Sequence, residues 1–252
     1  MTIQPSWIPF LSLASGLALL IPASRWLGAR IQRLVFMLTG NTMVALYVYF
    51  VLLLPGTLLH EWSHWLTARL LGVRTAGMTL RPQVGSGNKA QFGSVTIGRS
   101  DPVRESLIGV APLLIGSAAV LAIASWRFGP LSPTLSSLEL VQDFLSALMR
   151  APDAWIWLYV MLAISNAMLP SASDRASWHW AALIIALIVA GAYLLGIWEQ
   201  IPATALAPLQ RGAVYLAGVF ISAALLDVLL CGILWAMETT IGWLLGRQVK
   251  TR

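Results

Sequence analysis

Residues 34–59 read LVFMLTGNTMVALYVYFVLLLPGTLL, a run without a single charged side chain. A helix needs about 20 apolar residues to cross the hydrocarbon core of a bilayer, which is roughly 30 Å thick. The run is therefore long enough to span a membrane. Pro55 and Gly56 lie near its end, and the proline is expected to kink the helix there. The sequence thus predicts a membrane-spanning helix that bends before residue 60.

The whole chain has the composition of a membrane protein. Of its 252 residues, 58% are hydrophobic and only 10% are charged, whereas about 25% of residues are charged in soluble domains. Segments of about the length of a span occur six times: Trp7–Ala23, Leu34–Leu71, Ser106–Trp126, Ala154–Ser173, Trp178–Trp198 and Gly212–Trp235. We therefore expect an all-α polytopic membrane protein with about six transmembrane helices, in which residues 1–252 form a single integral membrane domain.

The connection between the second and third predicted spans, Gly72–Arg104, is polar and basic. Two pieces of it, Arg74–Arg81 and Gln91–Ile97, are typical of strands that flank the turn Gly85-Ser86-Gly87-Asn88. The sequence therefore predicts a small β-hairpin at the membrane edge.

The distribution of basic residues predicts the orientation, because Lys and Arg collect on the cytoplasmic side of membrane proteins. Placing the hairpin in the cytoplasm puts ten of the sixteen basic residues inside: Arg69, Arg74, Arg81, Lys89, Arg99, Arg104, Arg175, Arg247, Lys250 and Arg252. Arg25, Arg30 and Arg33 then fall in a short external connection, so either the first segment is not a full span or the charge bias is broken locally. The expected location is the inner membrane of a prokaryotic cell, as a multi-pass protein.

Two of the three histidines follow the apolar run directly, in His60-Glu61-Trp62-Ser63-His64. Side chains at i and i+4 lie on one helix face, so His60 and His64 can aim at a single ion. Glu61 lies one residue round the helix, where it can act as a base toward water without being a ligand. Zinc suits imidazole and carboxylate ligands, and with an open fourth position it lowers the pKa of a coordinated water to about 7. The pattern predicts half of a zinc site.

The third ligand is expected to be a carboxylate, because the single cysteine, Cys231, excludes a cysteine-based site and the third histidine, His179, is expected at the membrane interface, near the start of the fifth predicted span. The acids near apolar segments are Asp174, Asp227 and Glu238. Asp174 is favoured since it follows Pro170, where the helix should break, and irregular backbone at membrane depth lines cavities or is buried in protein. The alternative for Asp174 is an interfacial acid paired with Arg175. Asp227 is equally well explained as a structural carboxylate or as a proton-handling one.

These residues resemble the site-2 protease family of intramembrane zinc metalloproteases. The likeness covers roughly Leu34–Asp174. It rests on Leu59-His60-Glu61-Trp62-Ser63-His64, on Ala68-Arg69-Leu70-Leu71-Gly72-Val73, on a small β element and on a later Asn…Pro…Asp span. The resemblance implies a metalloprotease-like core at about residues 34–174, with accessory spans in residues 1–33 and 175–252.

The resemblance also implies roles for individual residues. His60, His64 and Asp174 would bind one Zn²⁺ ion, and Glu61 would be the catalytic base. Asn166 precedes Asp174 by eight residues, as in the family, which implies that it helps to hold the substrate or the oxyanion. The chain departs from the family at three points: its only proline in this span is Pro170, arginine and not glycine follows Asp174, and Val110-Ala111-Pro112 stands where Ala-Gly-Pro is expected.

The expected function is therefore hydrolysis of peptide bonds in membrane-embedded substrates by metal-activated water. The expected partners are a membrane protein or peptide substrate and the lipid bilayer, with no nucleic acid. A non-catalytic, pseudoprotease-like protein that keeps the metal and recruits partners is the alternative. A transporter ranks last, because transporters often carry paired broken helices from internal repeats and the sequence has no such pairing. The ligand types also suit iron, manganese or cobalt.

Overall fold

In the computed structural model of this protein, residues 7–84, 90–128, 146, 149–196 and 203–244 are described. Most of them are helical. The helices are α1 Ile8–Thr39, α2 Thr42–Leu52, α3 Leu54–Leu70, α4 Pro102–Phe128, α5 Ala154–Ala167, α6 Trp178–Leu194 and α7 Ala203–Leu244. The strands are β1 Thr75–Thr79, β2 Gln83–Val84, β3 Ala90–Gln91 and β4 Ser94–Ile97. The expected all-α class with a small β element is confirmed.

The number of full-length spans is smaller than the six expected. Among the described residues, three helices are long and apolar enough to cross a membrane, namely α1, α4 and α7 from Ala207 onward. Together, α2 and α3 make a fourth candidate, broken by a bend of 71°. α5 and α6 are apolar but shorter, because Pro170 and the polar run SASDRAS at residues 171–177 interrupt the apolar sequence between them. The long apolar helices are those of a protein that lies in a lipid bilayer.

The first helix is longer than predicted. α1 continues through Arg25, Arg30 and Arg33, where the sequence had indicated a connection, so that prediction is wrong. Arginine has a high helix propensity, and its charge alone does not end a helix. The helix ends instead at Gly40, whose φ of 66° is the left-handed conformation that closes helix C-termini. The side chain of Asn41 then caps α2 by accepting two backbone N–H groups of its first turn.

The bend predicted at Pro55-Gly56 is present between α2 and α3. Pro55 lies in the first turn of α3, where its missing N–H would have no helical partner in any case. Gly56 allows α3 to press against α5, because a Cβ atom at this position would lie 2.1 Å from the carbonyl oxygen of Ala163. The bend and this close approach together set the direction of the helix that carries His60 and His64.

The predicted β-hairpin is also confirmed. β1 pairs antiparallel with β4, from Thr79 opposite Ser94 to Thr75 opposite Ile97, and β2 pairs with β3. The turn at residues 85–88 lies outside the described residues, as does most of the connection before α5. Most residues of β1 are exposed, whereas most residues of β4 are half-buried and lie beside the cavity described below.

The main apolar core packs α1 and α7 against α4 and α5. Its buried members are Leu20, Ala23, Val120, Ala124, Met161, Ile164, Met168, Val219, Phe220, Ala223 and Ala224. A smaller cluster, formed by Ala68, Val73 and Ile108, ties the end of α3 to α4 and to the start of the hairpin. These two clusters hold α3, α4 and α5 around the segment at residues 168–177 that carries Asp174.

Candidate metal centre

The predicted histidine pair on α3 has the geometry that its spacing indicated. The Nε2 atoms of His60 and His64 lie 3.1 Å apart, so both imidazoles point into the same small space. His64 is buried and His60 is half-buried. Two other buried polar residues of this helix, Thr57 and Ser63, donate to the backbone carbonyls four residues before them, those of Leu53 and Leu59. The two imidazoles and the buried Glu61 carboxylate of this helix line one cavity.

A backbone carbonyl of α4 orients one of the two rings. The Nδ1 atom of His64 lies 2.8 Å from the carbonyl oxygen of Ile108. Because that oxygen can only accept, Nδ1 carries the hydrogen and Nε2 keeps its lone pair. Metal-binding histidines are held in the same way, with the second ring nitrogen donating to a carbonyl or carboxylate. His64 is therefore set up to offer Nε2 as a ligand.

Asp174 completes the group. Its Oδ1 atom lies 3.2 Å from Nε2 of His64, and its Oδ2 atom lies 3.6 Å from Nε2 of His60. With one ligand atom taken from each residue, the three atoms lie within 4.8 Å of one another, whereas ligand atoms bound tetrahedrally to zinc at 2.0–2.2 Å lie about 3.3 Å apart, so a small adjustment of the side chains would close the group around an ion. Within the described ranges, these three residues are the only group of His, Cys, Asp or Glu side chains arranged to hold a metal ion. Two imidazoles and one carboxylate also form a donor set that zinc accepts.

A close backbone contact seats Asp174 at this point. A Cβ atom on Gly109 of α4 would lie 2.1 Å from the carbonyl oxygen of Asp174, so only glycine permits the approach. Ser106, also on α4, donates a hydrogen bond of 2.7 Å to the carbonyl oxygen of Ser177. Within the turn, the backbone N–H of Ser171 donates to Asp174 Oδ2 at 2.7 Å. α4 therefore positions two of the three candidate ligands, through the neighbouring residues Ile108 and Gly109.

The charge state of Asp174 suits a ligand. Burial alone would raise the pKa of its carboxyl group, but contact with the His60 and His64 imidazoles and the hydrogen bond that the Ser171 N–H donates outweigh burial and hold that pKa well below its usual range. The alternative pairing with Arg175 is not formed, because the guanidinium group of Arg175 donates to the carbonyl oxygen of Ser171. Asp174 is thus an ionised carboxylate that faces two imidazoles.

Glu61 lines the same cavity, which has a volume of about 1010 Å³ and also contains His60, His64 and Asp174. The carboxylate is buried, and the segment between β3 and β4 covers it. A Cβ atom on Gly93 would lie 2.6 Å from Glu61 Oε1. The neighbouring Phe92 ring stacks on Phe50 and meets Tyr49 edge to face. The hairpin and α2 therefore form a wall over the carboxylate that the sequence indicated as the base.

The remaining residues singled out in the sequence fall at different places. Asn166 lines the cavity, and its side chain donates a hydrogen bond to Asp227. Glu238, near the end of α7, forms a 2.5 Å ion pair with Arg30. It is not part of the group formed by His60, His64 and Asp174. His179 lies at the start of α6 with its ring against Trp180. Of the three acids considered as third ligand, only Asp174 meets the histidine pair.

Comparisons with protein-family models, with curated proteins and with solved structures find no match to this chain. The likeness to the site-2 protease family therefore rests on the residues quoted above and on their arrangement.

Three features of this site were not predicted from the sequence. A backbone carbonyl such as that of Ile108 leaves no trace in a sequence, because every residue has one. Gly109 does leave a trace, since a glycine inside an apolar helix often marks a close approach of two backbones. Phe92 and Gly93, which lie over the Glu61 side of the cavity, also leave a trace, because Phe92 is the only aromatic residue in the polar segment Gly72–Arg104.

Proposed function

We propose that this protein is an intramembrane zinc metalloprotease, which hydrolyses peptide bonds of membrane-embedded substrates. One observation carries the proposal. Three side chains able to ligate an ion meet in one cavity with a further buried carboxylate, Glu61, in a bundle of long apolar helices. The resemblance carried by residues 59–73 and by the Asn166 to Asp174 spacing supplies the class of reaction.

Each side chain has a defined task in this reaction. His60, His64 and Asp174 would hold the ion as its three protein ligands. Zinc, when bound there, supplies a Lewis acid that lowers the pKa of water and polarises a carbonyl group. Glu61 accepts a proton from the water that attacks the peptide carbonyl carbon. It then returns that proton to the amine that leaves when the C–N bond breaks, so protons and charge balance over the cycle.

The hairpin offers a binding mode for the substrate. A helical substrate keeps its carbonyl groups in its own hydrogen bonds, so cleavage requires an extended segment. β4 is paired with β1 on one side, and its residues Ser94, Val95 and Ile97 line the cavity. A partly unwound substrate would add to the other edge of β4 by β-augmentation. Deleting Gln91–Ile97 tests this hypothesis, and unchanged cleavage of a membrane peptide by the deletion variant would exclude it.

The proposal extends to location. The chain would lie in the inner membrane of a prokaryotic cell, with the zinc site nearer the cytoplasmic face, because the basic hairpin flanks the cavity and basic segments stay in the cytoplasm. The shorter helices α5 and α6 would lie within the bilayer beside the site, joined by the turn that carries Asp174.

Glu61→Gln tests the function directly. The chain would be purified in lipid nanodiscs and incubated with single-span Leu/Ala peptides that carry an Asn-Pro helix break at different depths. Cleavage would be followed by mass spectrometry, and bound zinc by elemental analysis. The wild type is expected to cleave, and the variant is expected to keep one zinc per chain and lose turnover by at least about 100-fold.

The non-catalytic alternative predicts a different result. If the wild type held zinc but cleaved none of these peptides in any bilayer tested, the metal would be structural and the protease proposal would be overturned. If the Glu61→Gln variant cleaved the peptides as fast as the wild type, Glu61 would be excluded as the base.

A further inference from the structure

Asn166 and Asp227 form a buried polar contact that hydrolysis by Glu61 does not itself require. Asn166 lies near the end of α5, and Asp227 lies in the second half of α7 with its side chain fully buried. Nδ2 of Asn166 donates to Oδ1 of Asp227 at 3.0 Å. An ionisable side chain is costly inside a membrane bundle and is functional more often than elsewhere. This acid is in contact with a residue that lines the cavity.

Both hydrogens of the Asn166 amide are engaged. Besides Asp227, Nδ2 donates to the carbonyl oxygen of Leu162, one turn back in α5, at 3.0 Å. Because the Leu162 oxygen can only accept, it fixes which end of the amide is the nitrogen. The group that Asn166 has left for a ligand is its carbonyl oxygen Oδ1. This atom is buried and has no hydrogen-bond partner in the part of the chain that the structure describes.

We propose that Asp227 is a positioning residue, which holds the Asn166 amide so that Oδ1 accepts a backbone N–H of an extended substrate. The inference rests on the proposed function. An oxyanion needs hydrogen-bond donors, and both donors of Asn166 are taken. An unwound peptide presents N–H groups that need acceptors. Of the two roles that the resemblance implied for Asn166, the hydrogen bonds therefore select substrate binding.

In this arrangement Asp227 contributes a hydrogen-bond acceptor, and its negative charge has no role. An asparagine at position 227 also presents a carbonyl oxygen and should serve nearly as well. A leucine has a similar volume but no acceptor, and the Asn166 amide would then be free to rotate about its last torsion. The two substitutions thus separate the acceptor from the carboxylate charge.

The test is a double-mutant cycle in the full-length, zinc-loaded protein in nanodiscs, with the same single-span peptides. Asp227→Leu is expected to raise KM at least about tenfold with kcat little changed, since a lost hydrogen bond to substrate is lost from the ground state and the transition state alike. Asp227→Asn should stay within about threefold of wild type. In an Asn166→Ala background, Asp227→Leu should change KM less than about twofold, because no amide remains to be positioned.

Cys231→Ala is the control, because Cys231 lies one turn further along α7 and is also fully buried; its KM should not change. Equal effects of Asp227→Leu with and without the Asn166 side chain would overturn the inference. So would a loss in Asp227→Asn as large as that in Asp227→Leu. If Asp227→Leu does not fold, Asp227→Ala completes the same cycle. If the wild type binds zinc and cleaves nothing, the proposed function and the inference are overturned together. If the wild type is active, the two contrary outcomes for the Asp227 variants overturn the inference alone.

Discussion

Gly109→Ala should weaken zinc binding without touching a ligand. The new Cβ atom would lie 2.1 Å from the carbonyl oxygen of Asp174, against at least 3.4 Å in an ordinary contact. Asp174 or α4 must therefore move by more than 1 Å. Metal–ligand distances tolerate deviations of about 0.2 Å, and the same turn of α4 carries the Ile108 carbonyl that orients His64. We expect zinc affinity to fall about 10-fold to 100-fold, as for losses of outer-shell support at other zinc sites, which is about 1.4–2.7 kcal/mol.

The assay is competition for zinc between the purified protein in nanodiscs and a chromophoric chelator of known affinity. Gly232→Ala is the matched control, because Gly232 is also helical and has open space where its Cβ would be. Ser106→Ala removes the hydroxyl that donates to the carbonyl oxygens of Ser177 and Pro102, and it should give a smaller loss. A Gly109→Ala protein that folds normally and binds zinc as tightly as wild type would refute the argument that α4 seats Asp174.

Three further predictions concern cover, charge and packing. Gly93→Ala places a Cβ atom 2.6 Å from Glu61 Oε1, so kcat should fall at least about tenfold with zinc content unchanged; Gly77→Ala, which has open space, should not affect peptide cleavage. Arg30→Met leaves Glu238 buried without its partner and should lower the free energy of unfolding in detergent by about 3 kcal/mol, whereas adding Glu238→Leu should restore most of the loss. Phe220→Ala removes a fully buried ring of the main core and should cost about 3–5 kcal/mol in the same unfolding titration, against less than about 0.5 kcal/mol for the exposed Leu229→Ala.

The parts of the site that the sequence predicted are those governed by local rules. Helical periodicity places His60 above His64, and Pro170 ends the helix before Asp174, so the three residues could be proposed as a group. The bend at Pro55 and the pairing of β1 with β4 follow from proline and turn chemistry in the same way.

What the sequence did not predict depends on packing between distant segments. The length of α1 was misjudged because three arginines were read as a connection, while the break is set by Gly40 and Asn41. The hydrogen bond between Asn166 and Asp227 joins residues on two helices far apart in the chain. Neither residue type nor spacing identifies such a contact. The orientation of the Asn166 amide, and with it the proposed role of that residue, could be read only from the packed structure.

The most direct test of the metal centre is the zinc content of four purified proteins, measured by elemental analysis after dialysis against a weak chelator. Wild type should retain one zinc per chain, and His60→Ala and Asp174→Ala should each lose most of it. His179→Ala should keep it, because the third histidine lies outside the ligand group. If His60→Ala and Asp174→Ala retained as much zinc as wild type, His60, His64 and Asp174 would not form the metal site.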